Sequence, residues 1–156
     1  MVDTNQTPQG GGQSPVSQVI ATEPLAEKIT HFGKRILIVE DEESLARALN
    51  LKLTASGYKV TIATDGQVGL DTVIAANAEG SEPFDLILLD LILPVMDGFS
   101  VLAKLGEHGN KTPVIVLSNL NQEEDIAKVK ALGALDFLVK SNIQLSKIIE
   151  YLNRIL

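Results

Sequence analysis

The sequence predicts an α/β fold: a doubly wound, five-stranded parallel sheet with helices on both faces. Five short apolar runs indicate strands at residues 35–40, 58–63, 85–90, 113–118 and 135–140. Runs that are apolar throughout are typical of parallel strands buried on both faces. Amphipathic stretches separate these runs and predict helices at 42–56, 66–79, 97–108, 121–132 and 142–155. Strands alternating with helices through right-handed crossovers form a parallel sheet between two helical layers.

Turn and capping residues mark the ends of several predicted helices. Gly57 and Gly133 follow the first and fourth helices, where glycine commonly ends a helix. Asn121 is a suitable N-cap for the fourth helix. Ser141 and Gln144 have the spacing of a capping box, which predicts that the fifth helix begins there.

The first 34 residues differ from the rest, and we interpret 1–34 as a flexible N-terminal tail. Its first half is rich in Gln, Gly, Ser, Thr and Pro, and has too little apolar surface to order itself. Within the tail 23–32 is a possible short helix, because Leu25, Ile29 and Phe32 fall on one helical face. That stripe predicts a linker helix resting on the domain or, alternatively, a docking segment for another protein.

Composition limits the functions to consider. The remaining residues, 35–156, make one domain, and the absence of cysteine excludes disulfides and thiolate metal sites. A net charge of −7 argues against direct nucleic-acid contact, because binding phosphate backbones requires a basic surface. No apolar run reaches the roughly 18–20 residues of a membrane span, and no signal peptide is recognisable. We therefore expect a cytoplasmic protein without membrane contact.

Residues suited to phosphoryl-transfer chemistry stand at the ends of the predicted strands. Glu40 and Asp41 follow the first strand, Asp90 ends the third, Ser118 the fourth and Lys140 the fifth. The carboxyl ends of parallel strands meet at one edge of the sheet, so these groups are expected to converge. Three close carboxylates need a neutralising cation, and oxygen ligands suit Mg²⁺. Asp90, at the end of the central strand, is the best candidate for a carboxylate nucleophile.

These motifs resemble one family in their order and spacing. They are the acidic pair within Ile38–Glu42, the aspartate of Leu88–Asp90, the loop Leu93–Gly98, the hydroxyl of Val116–Ser118 and the lysine of Gly133–Lys140. Each motif is weak alone, but together they resemble the receiver domain of two-component response regulators, the CheY-like superfamily. The resemblance covers residues 35–156.

The resemblance implies a flavodoxin-like strand order of 2-1-3-4-5, an order for which receiver domains are a standard example. It also implies that Asp90 accepts a phosphoryl group from a histidine kinase or histidine phosphotransfer protein. Mg²⁺ would be bound by Glu40, Asp41, Asp90 and the backbone carbonyl of Ile92.

The resemblance further implies which residues bind the phosphoryl group and which respond to it. Ser118, Asn119 and Lys140 would contact the phosphoryl oxygens. Ser118 and Phe137 would form a switch in which the hydroxyl moves toward the phosphoryl group and the ring turns inward behind it.

Several positions depart from the common pattern of that family. Ser141 stands where proline usually follows the lysine, and Asn119 replaces a smaller residue. Ile92 and Leu120 are apolar where polar side chains often help to orient a hydrolytic water, so we expect slow loss of the phosphoryl group. Gly69 lies within a predicted helix, at a cost of roughly 1 kcal/mol.

The leading hypothesis is a stand-alone receiver that is not an enzyme beyond self-phosphorylation and autodephosphorylation. It would signal by altered binding to a downstream protein not identified by the sequence, as a monomer or a weak phosphorylation-dependent dimer. A receiver excised from a hybrid kinase fits equally well. An aspartate-nucleophile phosphohydrolase is much less favoured, because its second aspartate would stand at Ile92. A nucleotide or flavin domain is disfavoured because the turn Glu40–Glu43 has no glycine and would repel phosphates.

Overall fold

The computed structural model describes residues 31–156, so the predicted tail helix at 23–32 lies almost wholly outside the described residues. These described residues form five strands: β1 Arg35–Val39, β2 Lys59–Ala63, β3 Leu86–Leu89, β4 Val114–Ser118 and β5 Asp136–Val139. In the same part of the chain five α-helices alternate with the strands: α1 Glu43–Ala55, α2 Gly66–Ala76, α3 Gly98–Glu107, α4 Glu123–Ala131 and α5 Leu145–Ile155. Within 31–156, no helix combines the length and apolarity needed to cross a membrane.

The strands form one parallel sheet in the order β2-β1-β3-β4-β5, which confirms the predicted doubly wound topology. In its register Val39 pairs with both Ala63 of β2 and Leu89 of β3. The residues that follow Val39 and Leu89 therefore emerge side by side, at the point where the strand order changes direction. Ligand sites of open parallel sheets lie at such a switch point.

Two apolar layers hold the helices against the sheet, because alternate strand residues point to opposite faces. Ile36 and Ile38 face α1 and α5, whereas Leu37 and Val39 face α2, α3 and α4. All four are buried, as are their counterparts on β3. The central strands are thus covered on both faces, which explains why they read as continuous apolar runs.

Two predicted helix starts are wrong. Residues Lys140–Asn142 form a 3₁₀ turn and α5 begins at Leu145, so the capping box of Ser141 and Gln144 does not form. Gln144 is the N-cap and makes no side-chain capping bond. The N-cap of α4 is Gln122 rather than Asn121, again without a side-chain bond. Before α5 the 3₁₀ turn displaces the helix start toward the C-terminus, whereas before α4 the chain stays irregular from Asn119 to Gln122.

Close backbone approaches explain two glycines. A Cβ on Gly98 would lie 2.3 Å from the carbonyl oxygen of Asp90, so α3 begins directly against the end of β3. A Cβ on Gly69 would lie 2.8 Å from Cγ1 of Val39, so α2 rests closely on β1. Glycine at position 69 lowers the helix propensity of α2, but it allows the close packing of α2 on β1 that a larger residue would prevent.

The loop between β3 and α3 contains a strained residue. The N–H of Met96 donates to the carbonyl of Pro94 at 2.8 Å, closing a tight turn around Val95, whose φ is +68°. A positive φ is an outlier for a β-branched residue and costs of order 1–3 kcal/mol. Val95 is 81% exposed, so side-chain packing contributes little to offset this strain.

We expect Val95→Gly to raise the free energy of unfolding by about 1 kcal/mol, because glycine adopts a positive φ without steric cost. Urea titration of the full chain measures this change. The matched control is Val68→Gly, at an exposed position in α2. It should lower stability by roughly half a kcal/mol, since glycine is the poorer helix former. A loss of stability in Val95→Gly would contradict the strain at this turn.

Candidate functional site

Three carboxylates meet at the carboxyl edge of the sheet. Glu40 and Asp90 directly follow β1 and β3, and Asp41 comes next in the chain. Each offers a carboxylate oxygen, and these atoms all lie within 4.8 Å of one another. Glu40 and Asp90 are only 3% and 5% exposed, whereas Asp41 is exposed. The structure therefore brings together the acids that the strand ends predicted.

Main-chain hydrogen bonds fix the two buried acids as extensions of the sheet. The N–H of Glu40 donates to Ala63 at 3.0 Å, and the N–H of Asp90 donates to Val39 at 3.0 Å. The ladder thus continues one residue past each strand. The hydrogen bonds of the sheet therefore fix the backbone positions of Glu40 and Asp90.

Lys140 bridges both buried acids. Its Nζ lies 2.6 Å from Oε2 of Glu40 and 2.8 Å from Oδ2 of Asp90. The Lys140 side chain is itself only 11% exposed. β5 lies beside β4, not β3, so the long lysine stem spans the width of one strand to reach Asp90. Ion pairs shielded from water in this way are screened much less than surface pairs.

The second oxygen of each buried acid is bound by the main chain. Oδ1 of Asp90 accepts from the N–H of Leu91 at 2.7 Å and from the N–H of Ile92 at 3.3 Å. Oε1 of Glu40 accepts from the N–H of Glu42 at 3.0 Å. Each carboxylate is therefore oriented, with one oxygen held by the backbone and the other turned to Lys140.

The pKa changes show that the cluster favours positive charge. Burial raises the pKa of Glu40, opposed by hydrogen bonds from Lys140 and Glu42, and the neighbouring charge of Asp90 raises it further. Burial, the largest single effect, would lower the pKa of Lys140, but the hydrogen bonds to Asp90 and Glu40 and the charges of these two acids together raise it. Both directions are expected when three carboxylates share one ammonium, because the cluster keeps a formal negative charge.

The donor set fits a hard divalent cation. It offers carboxylate oxygens only, two of them buried and oriented, and its remaining charge attracts cations. Mg²⁺ is typically bound by one or two carboxylates and retains several waters, which suits the exposed side of Asp41. Ile92, two residues after Asp90, is 57% exposed. The metal-binding role of its backbone carbonyl stays a prediction.

Ser118 and Phe137 lie on adjoining strands, behind the acids. Ser118, the last residue of β4, is fully buried, and its Oγ accepts from the N–H of Leu120 at 3.4 Å. Phe137 on β5 pairs with Val116 of β4 and packs, partly buried, against the core beneath α2, α3 and α4. The switch role of Ser118 and Phe137 stays a prediction.

Asn119 has a contact that the sequence did not indicate. Its Oδ1 accepts from the N–H of Ser141 at 3.1 Å, tying the loop after β4 to the turn that carries Lys140. A proline at position 141 has no N–H and would not make this bond. Two departures from the usual pattern, Asn119 and Ser141, are therefore partners. The joint occurrence of these two residues is the only sign of this contact that the sequence carries.

Comparison with known proteins agrees with this geometry. The sequence model of the response regulator receiver domain matches residues 36–153. The transcriptional regulatory protein DltR of Streptococcus agalactiae is 40% identical over 106 residues, covering 68% of this chain and 45% of DltR. The uncharacterized transcriptional regulatory protein YkoG of Bacillus subtilis is 44% identical over 105 residues, covering 67% of this chain and 43% of YkoG.

The fold has close counterparts among solved structures. The chemotaxis protein CheY4 of Vibrio cholerae superposes with a TM-score of 0.69 at 28% identity, covering 80% of this chain and 99% of CheY4. The chain thus matches a whole CheY protein but spans less than half the length of DltR and YkoG. By its sequence and its fold, the chain belongs to the response regulator receiver domain family of two-component signalling.

Proposed function

We propose that Asp90 accepts a phosphoryl group from a histidine kinase or a histidine phosphotransfer protein, in a reaction that needs Mg²⁺. The observation that carries this proposal is the contact of Lys140 with Oδ2 of Asp90 at 2.8 Å. It places a compact cation beside the one Asp90 oxygen that the backbone leaves free. An incoming phosphoryl group would meet both the nucleophile and its counter-charge.

The residues divide the chemistry between them. Oδ2 of Asp90 attacks phosphorus, the P–N bond to the donor histidine breaks, and that bond's electron pair stays on the histidine. The product is an acyl phosphate on Asp90. The ammonium of Lys140 moves its contact from the carboxylate of Asp90 to a phosphoryl oxygen. Ser118 and Asn119 bind the remaining phosphoryl oxygens. Mg²⁺, held by Glu40, Asp41, Asp90 and the carbonyl of Ile92, would supply charge neutralisation at the phosphoryl oxygens.

We propose that the output is altered protein binding at the face of α4, β5 and α5. Nζ of Lys128 on α4 lies 4.3 Å from the ring centroid of Phe99 on α3, a cation–π contact that holds α4 in its present position. Movement of Ser118 toward a phosphoryl group would free space for Phe137 behind it. Phosphorylation would then shift an existing equilibrium by its differential stabilisation of the two states.

The acidic composition supports a receiver without direct nucleic-acid contact, because a net charge of −7 disfavours binding to phosphate backbones. A location in the cytoplasm and away from membranes stays a prediction from the sequence. The names of DltR and YkoG describe proteins of which this chain matches less than half, so they assign no nucleic-acid role to it. Independent enzymatic turnover is not proposed, since apolar Ile92 stands where a phosphohydrolase needs an acid. Stand-alone status stays a prediction, testable by the intact mass of the native protein.

Asp90→Asn should abolish the mass gain of one phosphoryl group on incubation with acetyl phosphate and Mg²⁺, because an amide is not a nucleophile. Intact mass spectrometry measures the gain. Asp71→Asn, an exposed acid on α2, is the matched control and should label like the parent protein. Full labelling of Asp90→Asn, or labelling that persists with EDTA, would refute the assignment.

Ile92→Asn should accelerate loss of the phosphoryl group severalfold, because a polar side chain beside Asp90 can orient the attacking water. Decay of the acyl phosphate, followed by intact mass after removal of the donor, measures the rate. Leu135→Asn is the control, since Leu135 is 55% exposed against 57% for Ile92 but lies at the start of β5, away from the site. Equal decay in both variants would exclude this explanation of a long lifetime.

Beryllofluoride with Mg²⁺, a phosphoryl mimic, should change hydrogen exchange in residues 118–142 and leave β2 almost unchanged. The reason is that Ser118, Phe137 and Lys140 lie on β4, β5 and the turn that follows, whereas β2 is the opposite edge of the sheet. Coupling of 1–3 kcal/mol is typical and corresponds to roughly 5–150-fold changes in exchange. Changes confined to the loops of Glu40 and Asp90 would show that this face is not the output surface.

A further inference from the structure

An apolar groove runs between α1 and α5, on the side of the sheet away from the switch pair. Its apolar lining comes from Leu51 and Ala55 of α1 and Ile149 of α5, and Lys52 and Glu150 also line it. The groove encloses about 540 Å³. The functional site described above makes no use of it.

Two strongly exposed apolar side chains lie near the end of this groove at which α1 ends. Among the described residues the most exposed large apolar side chains are Val95 at 81%, Phe32 at 78% and Leu51 at 66%. Val95 belongs to the loop after β3. Leu51 lines the groove, and Phe32 lies against Gly57, the residue after Ser56 in the lining. Exposed apolar side chains gathered around a groove are a common feature of interaction sites.

The described chain begins at that same end. The N–H of Gly33 donates to the carbonyl of Gly57 at 2.8 Å, two residues past the end of α1. Nζ of Lys34 donates to the carbonyl of Leu156, just past the end of α5. The ring of Phe32 covers Gly57, where a Cβ would lie 3.0 Å from it. Residues before Phe32 therefore start between the C-terminal ends of the two helices that form the groove.

The preceding segment has the pattern and length to fill the groove. Leu25 and Ile29 continue the stripe of Phe32 at helical spacing, with Glu23 and Glu27 on the opposite face. Ten helical residues span about 15 Å, shorter than the 13 residues of α1. Gly33 has a φ of +82°, the left-handed conformation that commonly follows a helix end.

We propose that residues 23–32 form a helix that occupies this groove, with Leu25 and Ile29 packed on Leu51, Ala55 and Ile149. The groove is thus an intramolecular docking site for the N-terminal segment of this chain. The docked helix covers the α1–α5 face, so a protein that binds this face has to displace it. The inference is independent of phosphorylation, because it rests on residues outside the functional site.

A spin label attached through Ala26→Cys in the full chain tests this placement, since the sequence contains no other cysteine. Amide signals of residues 51–56 and 146–150 should lose at least half of their intensity, while those of α3 keep theirs. Adding Leu25→Ser with Ile29→Ser should restore the lost signals. The matched control, Val2→Ser with Val16→Ser, removes two apolar side chains from the tail outside the stripe and should leave the loss unchanged.

Equal signal loss in both double variants would overturn the proposal, because tethering alone would then account for the proximity. A mixture of spin-labelled chains with unlabelled nitrogen-15 chains identifies the occupant. Signal loss in the mixture would assign the groove to a second copy and also overturn intramolecular docking. An unperturbed mixture, with signals restored only by the Leu25 and Ile29 substitutions, is the result expected.

Discussion

The position of Lys140 between Glu40 and Asp90 is the interaction on which the rest of the site depends. Burying two carboxylates that are 3% and 5% exposed is costly unless a nearby cation balances their charge. Lys140 provides that charge at 2.6 and 2.8 Å. Buried pairs of this kind contribute little net stability, yet removing one partner is costly. The triad of Lys140, Glu40 and Asp90 therefore serves to place a cation beside the free oxygen of Asp90 rather than to stabilise the fold.

Backbone contacts around the triad hold the main chain of Glu40, Asp90 and Lys140 in place. Main-chain bonds extend β1 and β3 by one residue, and the start of α3 rests directly on the carbonyl of Asp90. On the other side Asn119 holds the N–H of Ser141, the residue after Lys140. The exposed strain at Val95 lies in the loop joining these parts. Precise positioning of the acids is thus obtained with one strained turn and several close backbone contacts.

The fold could be predicted because its strands and helices follow from patterns of apolar residues along the chain. Continuous apolar runs identify strands buried on both faces, and residues that follow such runs, like Glu40, Asp90 and Lys140, converge in any parallel sheet. The start of α5 was not predictable in this way, since Ser141 and Gln144 have capping spacing but the chain forms a 3₁₀ turn instead. The bond between Asn119 and Ser141 depends on the paths of two loops, and no periodicity encodes it. The positive φ of Val95 could not be predicted either, because residues in that conformation are normally glycine or asparagine.

The buried acids require a cation, which Lys140 provides and which, as we propose, Mg²⁺ provides as well. The most direct test compares the thermal midpoint of wild type, Lys140→Met and the control Lys104→Met at an exposed position of α3, each with and without Mg²⁺. Lys140→Met should melt several degrees lower without metal, because two buried carboxylates then repel each other. Mg²⁺ should raise its midpoint more than that of wild type or the control. Equal midpoints in all three proteins, or an equal gain from Mg²⁺, would contradict this account.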